Sequence, residues 1–231
     1  MLALTSIIMN FAKLMTVSRT LSLSDNFRAS DAYKDGGFCL DDQVILTKYR
    51  NALKDLIKQV GKMIISGKFE LYKVSFPIKC MSSRSILTAV AKLSLHAPTY
   101  LNAAALTSDP IERMKNMVTF SISYCYSAHT FEKPLNPILG ETYQARMEDG
   151  TMVMMEQVCH HPPISYMLLE GPKNLYRYYS WSSFSPKAHL NSIDLNVKGH
   201  KEVIFHDGGR ISFNPPPDSF KNTLWGGALV H

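Results

Sequence analysis

The stretch GETYQARMEDGTMVMMEQV, residues 140–158, decides the fold class of this chain. It holds two short runs rich in strand-forming residues, and Asp149-Gly150 stands between them. An Asp-Gly pair between two such runs is a strong hairpin signal, because both residues tolerate the positive φ that a tight turn needs. The stretch therefore predicts two antiparallel strands.

More strands are expected after this hairpin. ISYMLLEGPKNLYRYYSWSSF (164–184) gives a second pair of runs around Gly171-Pro172. SIDLNVKGHKEVIFHDGGRISF (192–213) gives three more, which we expect to be separated by turns at Lys198-Gly199 and at 207–209. Several short strands joined by tight turns predict an antiparallel sheet, either a sandwich or a barrel. NTLWGGALVH (222–231) begins like a strand, so we expect an open sheet edge there and a domain that is part of a longer one.

The N-terminal half is predicted to be helical. Apolar residues recur at helical spacing between Gln43 and Gly67, and Asp41 and Asp42 are candidate N-terminal caps. Further helices are expected at 84–95, 99–106 and 109–127, the last with Asp109 as its cap. The expected core face of that last helix consists of Met114, Met117, Val118, Ile122 and Cys125.

Composition narrows the class of protein. The chain has 231 residues, of which 45% are hydrophobic, enough for a sizeable core. Its formal net charge of +6 suits an anionic partner, either nucleic acid, a membrane surface or a phosphorylated ligand. The four cysteines form no CxxC pair, so they indicate neither a zinc site nor a disulfide framework, and a reducing compartment is expected.

Two regions differ in character. Residues 1–40 are interpreted as a leader and linker, unstructured or, less favoured, a transit peptide. Residues 41–231 are interpreted as one folded domain. Its first helix is strongly basic, since residues 43–68 hold six Lys or Arg and one Asp. An ordinary surface helix and a helix that lies on an anionic membrane both fit that pattern.

The segment EQVCHHPPIS, residues 156–165, carries the most unusual chemistry. His160 and His161 fit a metal pair, a turn that recognises phosphate, or two turn histidines bonded to the backbone. Cys159 beside His160 also fits a thiol nucleophile. No recognisable metal-ligand spacing surrounds the pair. The residues alone do not decide between phosphate recognition, a thiol nucleophile and a turn bonded to its own backbone.

A second candidate segment is FEKPLNPILGETYQ, residues 131–144. Lys133 supplies a positive charge, and Asn136 supplies both donors and an acceptor. Pro134 and Pro137 stiffen this expected loop, so a ligand would cost it little entropy on binding. A plain connector between helix and strand fits the segment as well.

KPLNPILGETY and EQVCHHPPIS together resemble the ligand-binding domain of the oxysterol-binding protein family, whose signature is E-Q-V-S-H-H-P-P. The resemblance runs from about Gln43 to the end of the sequence. It implies an α+β, mainly β fold, in which an N-terminal lid and helices precede an incomplete antiparallel β-barrel enclosing a lipid tunnel. Residues 41–231 would then be a partial domain that lacks its C-terminal part.

The resemblance implies lipid binding and transfer between membranes at contact sites, without enzymatic activity, cofactor, metal or nucleic acid. The expected ligands are phosphatidylinositol 4-phosphate and, in exchange, a sterol or phosphatidylserine, and the expected location is cytoplasmic and peripheral to anionic membranes. The implied head-group residues are Lys133, Asn136, His160 and His161. The implied lid spans residues 43–66, with Lys48, Tyr49, Leu53, Lys54, Ile57 and Lys58 facing the membrane.

Two departures from the family pattern keep two different functions under consideration. Cys159 stands where the signature has serine, and no position here matches the Lys, Glu and Arg contacts that a later helical part supplies in the family. A truncated scaffold that transfers no lipid is therefore the first of these functions. A hydrolase that uses Cys159 and His160 is the second.

Overall fold

The structure is a computed structural model that describes residues 32–33, 37–65, 78, 81–128, 132–189, 191–227 and 229–230. The chain divides into two units, 1–37 and 38–231. In the first unit, the Tyr33 amide donates to the Gly37 carbonyl at 2.8 Å. Of the expected leader and linker at 1–40, residues 1–31 and 34–36 lie outside the described residues.

Among the described residues of the second unit, four α-helices lie before the hairpin that begins at Thr142. They are α1 (Gln43–Ile65), α2 (Ile86–Leu93), α3 (Ala97–Leu106) and α4 (Pro110–Ala128). Of the candidate caps, Asp42 and Asp109 are confirmed, because the Asp42 carboxylate accepts from the Val44 and Ile45 amides and the Asp109 carboxylate accepts from the Ile111 amide. Asp41 contributes its backbone carbonyl, which accepts from the Gln43 side chain. Among the described residues, no helix combines the length and hydropathy needed to cross a bilayer.

The predicted antiparallel sheet is confirmed. Its strands are β1 (Cys39–Leu40), β4 (Thr142–Arg146), β5 (Met152–Cys159), β6 (Ile164–Glu170), β7 (Tyr176–Ala188), β8 (Ser192–Phe205), β9 (Arg210–Phe213), β10 (Asp218–Lys221) and β11 (Leu229–Val230). The order is β1-β11-β10-β8-β7-β6-β5-β4, and β9 also pairs with β8. Two short strands, β2 (Met81–Ser85) and β3 (Lys133–Leu135), pair in parallel as a separate sheet. Over the described residues the main sheet does not close on itself, which fits the expected incomplete barrel.

The hydrophobic core lies between helices α2, α3 and α4 and one face of β5–β8. Every second residue of these strands points inward, as the two-residue period of a strand requires. The Phe120 ring from α4 meets the Tyr178 ring edge-on, with centroids 5.7 Å apart. The core side chains are Leu87, Val90, Ala91, Ala97, Leu101, Ala104, Ala105, Met117, Phe120, Val153, Met155, Met167, Leu169, Tyr176, Tyr178, Val203 and Phe205.

Three sequence expectations about secondary structure are wrong. Arg84 and Ser85 belong to β2, so the helix expected from 84 begins at Ile86. The turn expected at Lys198-Gly199 does not exist, because β8 runs unbroken from Ser192 to Phe205. The last strand is not unpaired, because β11 lies between β10 and β1.

The predicted core face of α4 is only partly right. Met117 is buried as expected and Met114 is half-buried, but Val118 and Ile122 are exposed, and Phe120 is buried instead. The side chain of Cys125 lies outside the described part of the chain. The helix therefore turns a face centred on Met117 and Phe120 toward the sheet. The apolar residues on its other side explain why periodicity selects the wrong face.

Arg113 ties the helices to the sheet. Its guanidinium donates to the carbonyls of Ala104 at 3.0 Å and Thr107 at 2.8 Å, and it forms an ion pair with Asp207 in the turn between β8 and β9. It also lies over the Phe205 ring at 4.7 Å. One side chain thus joins α3, α4 and β8.

This ion pair predicts a loss of stability in acid. The hydrogen bond from Arg113, and then that from the Gly209 amide, hold the pKa of Asp207 below its usual range. The stabilising contribution is complete above the unfolded carboxyl pKa of about 3.9, and it is lost as pH falls through the lower folded pKa. We expect Asp207→Asn to lower the thermal midpoint at neutral pH, and we expect the difference from wild type to vanish in strong acid. A difference that persists there would contradict this assignment.

Candidate functional site

His160 and His161 lie on the turn between β5 and β6, and both side chains are exposed. Their ring centroids are 4.6 Å apart and the ring planes are inclined at 62°. The register of the β5–β6 pair shifts between Gln157 and Cys159. A bulge of this kind re-aims the side chains that follow it, so two adjacent imidazoles lie together although neighbours on a regular strand would point to opposite faces.

Gln157 closes the base of this turn. Its side chain is 0% exposed on the core face of β5. The amide nitrogen donates to the Cys159 carbonyl at 2.7 Å, and the amide oxygen accepts from the Ser165 hydroxyl on β6. A single side chain therefore fastens both ends of the histidine turn.

The second candidate segment leads into the first strand of the hairpin. Lys133 is half-buried in β3 and pairs with Met81, while Asn136 is exposed just beyond that strand. The loop expected at Lys133 is thus replaced by a three-residue strand that begins there. After buried Pro137, the Glu141 carboxylate accepts from the Ile138 amide at 3.1 Å and closes a compact turn.

Backbone hydrogen bonds join the two segments. The Gly140 amide donates to the Gln157 carbonyl at 2.9 Å, and the Gln157 amide donates to the Glu141 carbonyl at 3.0 Å. Gly140 has φ +79°, a conformation that glycine adopts without strain. The end of the lysine segment is thereby held beside the last residues of β5, next to the histidine turn.

The surroundings of Lys133 affect its charge. Burial lowers the pKa of the Lys133 ammonium below its usual range, because the charged form has lost part of its solvent. Within the described ranges, no cluster of three or more His, Cys, Asp or Glu side chains is placed to hold a metal ion.

The chain matches the family model described as "Oxysterol-binding protein" over residues 55–231. It belongs to the oxysterol-binding protein family. "Oxysterol-binding protein 9" of Dictyostelium discoideum is 38% identical over 200 residues, which cover 87% of this chain and 46% of that protein. Human "Oxysterol-binding protein-related protein 1" is 36% identical over 153 residues, covering 63% of this chain and 16% of the relative. The chain thus spans less than half the length of these two family members.

Solved structures of the oxysterol-binding protein family share the fold. The Osh3 ORD from Saccharomyces cerevisiae, solved in complex with PI(4)P, has a TM-score of 0.64 at 28% identity, covering 76% of this chain and 45% of that one. The Osh1 ORD domain in complex with ergosterol also has a TM-score of 0.64, at 25% identity, and the match covers 74% of this chain and 42% of that one. The predicted fold class is therefore confirmed as α+β and mainly β.

Helix α1 occupies the position in sequence of the expected oxysterol-binding protein lid. Leu46, Ala52 and Leu56 are buried, whereas Ile45, which belongs to the helically spaced apolar residues of this segment, is 38% exposed. Tyr49, Leu53 and Ile57, expected to face the membrane, are half-buried, and Lys48, Lys54 and Lys58 are exposed. The helix is therefore amphipathic, with a lysine-rich outer face.

Arg50 does not belong to that outer face. Its guanidinium donates to the carbonyls of Asn222 at 3.2 Å, Gly226 at 3.2 Å and Gly227 at 2.7 Å. Asn191 holds this carbonyl-rich loop in shape, because its amide oxygen accepts from the Leu224 and Trp225 amides. Arg50 is thus a point of attachment between α1 and the region before β11, a role that counting charges along the helix could not reveal.

Arg50→Met is expected to loosen α1 while preserving most of the side-chain length. Hydrogen bonds to a charged group contribute about 1.5 kcal/mol or more, so opening of the helix should increase about tenfold. Hydrogen exchange across residues 43–58 measures this change. Lys54→Met, which removes an exposed lysine from the same helix, is the matched control. Equal protection of α1 in both variants would contradict the attachment.

Proposed function

We propose that this chain binds a phosphoinositide head group at the histidine turn and carries the lipid between membranes. The observation that carries the proposal is the pair of exposed imidazoles, with centroids 4.6 Å apart, on the turn that follows β5. Near its end, β5 is hydrogen-bonded through Gln157 to the end of the lysine segment. Neutral imidazole carries one N–H donor and imidazolium two. A phosphate monoester, which presents several acceptor oxygens, is the complementary group.

In this proposal His160 and His161 contact the 4-phosphate, and Lys133 and Asn136 contact the rest of the head group. The positive charge of Lys133 is complementary to the negative charge of the head group. Two aspects of the structure support the assignment: both segments lie at the same end of β5, and their backbones are fixed to each other. The PI(4)P complex of the similar Osh3 ORD supports the choice of ligand.

The proposed cycle exchanges phosphatidylinositol 4-phosphate for a sterol or phosphatidylserine, in the cytoplasm and at the surface of anionic membranes. The ergosterol complex of the similar Osh1 ORD domain supports a sterol as the second lipid. The exposed Lys48, Lys54 and Lys58 would bring α1 to such a surface, with Tyr49, Leu53 and Ile57 next to the acyl region. The chain would act without chemical turnover of either lipid.

Binding to vesicles of phosphatidylcholine with phosphatidylinositol 4-phosphate tests the proposal. The comparison vesicles contain phosphatidylinositol instead, with phosphatidylglycerol added until the surface charge is equal. We expect clear preference for the 4-phosphate vesicles, because general attraction to negative charge is the same in both. Equal binding to the two vesicles would mean that charge alone recruits the chain, and the head-group site would be refuted.

A further inference from the structure

Gln157 holds a position that the head-group contacts alone do not explain. On β5 it shares the inward face with Val153 and Met155, both core residues, and a fully buried polar side chain among them requires partners. The primary amide meets this requirement because it offers a donor to the Cys159 carbonyl and an acceptor to the Ser165 hydroxyl. Its backbone adds two further bonds, to Gly140 and Glu141.

We infer that Gln157 is a positioning residue for the head-group site, one that fixes the histidine turn relative to the lysine segment. The inference rests on the proposed function. The Cys159 carbonyl belongs to the peptide group that leads into His160, so the amide bond sets the direction in which the chain leaves β5. The same residue's backbone fixes the end of the lysine segment. One residue thus aligns two groups of ligand-binding side chains.

If Gln157 had only a structural role, its substitution would give a different set of results. A buried amide that only satisfied the core would affect stability when removed and leave the imidazole geometry unchanged. A positioning role predicts that the ring environment and the lipid affinity change together. The Gln157 side chain is 0% exposed, so its two hydrogen bonds are made away from bulk solvent and their loss should be felt in the geometry of the turn.

Three variants of the full chain separate these roles. Gln157→Met removes both side-chain bonds at similar volume, Ser165→Ala removes only the hydroxyl, and Gln157→Glu keeps the acceptor but loses the donor when ionised. Thr151→Val is the matched control, because it removes a buried hydroxyl that donates to Asp149 at 2.8 Å, near the opposite end of β5. Each variant is compared with wild type by thermal midpoint, imidazole NMR signals and affinity for phosphatidylcholine vesicles with phosphatidylinositol 4-phosphate.

We expect Gln157→Met to weaken vesicle affinity by about tenfold or more and to move the imidazole signals of His160 and His161. Ser165→Ala should give a smaller change in the same direction. Thr151→Val should lower the thermal midpoint while both site readouts remain at wild-type values. Changes confined to the thermal midpoint of the Gln157 and Ser165 variants would overturn the inference.

Gln157→Glu adds a test by pH. Burial raises the pKa of a carboxyl group, and the protonated form regains a donor for the Cys159 carbonyl. The affinity deficit of this variant, taken against wild type at each pH, should therefore shrink as pH is lowered from about 8 to about 5. A deficit that is constant over this range would contradict the role of the donor.

The proposed function and the inference fail in different ways. Wild-type chain that shows no preference for the 4-phosphate vesicles would refute the proposed function. The imidazole signals require no lipid and therefore test the positioning role separately. Signals that move in Gln157→Met but not in Thr151→Val show that Gln157 orients the histidine turn, and signals that stay in place overturn the inference even if the wild-type chain binds the lipid.

Discussion

Replacing His160 and His161 together with alanine is expected to reduce phosphoinositide affinity by about a hundredfold or more. Each imidazole would supply a hydrogen bond to a charged phosphate, and such bonds contribute about 1.5–3 kcal/mol each. Two of them correspond to at least about two factors of ten in the dissociation constant. Vesicle binding with phosphatidylinositol 4-phosphate measures the loss. Folding should be unaffected, because both side chains are exposed on a turn.

A matched control distinguishes the site from general basicity. His200 and His206 are also exposed, and they lie on β8 and in the turn after it, outside the histidine turn. Their double alanine variant removes the same two groups from the surface and should bind like wild type. Equal losses in the two double variants would mean that no specific phosphate site exists at the β5–β6 turn.

Of the substitutions considered, Gly199→Ala is expected to lower the free energy of unfolding most. The expected loss is about 3 kcal/mol, the upper end of the usual range for overpacking. A Cβ at this position would lie 2.3 Å from the Trp181 carbonyl oxygen and 3.3 Å from the Ser182 Cα. These atoms belong to the backbone of β7, which pairs with β6 on one side and β8 on the other. A flexible side chain could move aside, but a strand paired on both sides cannot do so without losing hydrogen bonds.

Urea unfolding of Gly199→Ala and Gly227→Ala tests this prediction. Gly227 has nothing within 4 Å of an added Cβ, and its carbonyl still accepts from Arg50 after substitution. Its unfolding free energy should stay within about 0.5 kcal/mol of wild type, as for most surface substitutions. A loss at Gly199 no larger than that at Gly227 would mean that β7 and β8 adjust more freely than their pairing indicates.

The hairpins can be predicted because their signals are local. Gly150 has φ +94° and Gly208 has φ +82°, a backbone conformation that glycine adopts without strain. Both turns can be recognised from the few residues around these glycines. The same logic predicts a turn at Gly199, which is instead a point of close approach to β7. A glycine that makes room for a paired strand has no distinguishing neighbours in the sequence, so sequence alone cannot separate the two causes.

The spacing of apolar residues predicts that a segment is helical, but it does not predict which side of the helix is buried. The apolar residues of α4 surround much of the helix, and only packing against the sheet selects Met117 and Phe120 for burial. The same limit applies to Arg50, which is spaced like the exposed lysines of α1 but contacts carbonyls more than 170 residues away along the chain. Pairing of β11 with β1 is another long-range contact, which accounts for the wrongly expected open edge.

The histidine turn is visible in the sequence because two adjacent histidines before two prolines are unusual. No role is predicted for Gln157, although its position in the sequence of β5 does indicate one. Val153, Met155 and Gln157 alternate along β5, so a strand with an apolar inward face places the glutamine inward as well. A polar residue on the buried face of a predicted strand, directly before a candidate binding turn, is a feature from which a positioning role can be predicted.

Extraction of phosphatidylinositol 4-phosphate from liposomes by the wild-type chain and by its His160→Ala/His161→Ala variant tests the central claim most directly. Extraction requires the chain to bind the head group and to remove the whole lipid from the bilayer. We predict that wild type extracts the lipid, that the His200→Ala/His206→Ala variant does so equally, and that the His160→Ala/His161→Ala variant does not. Equal extraction by wild type and the His160→Ala/His161→Ala variant, or none by wild type, would contradict the proposal that this turn grips the phosphate of a transported lipid.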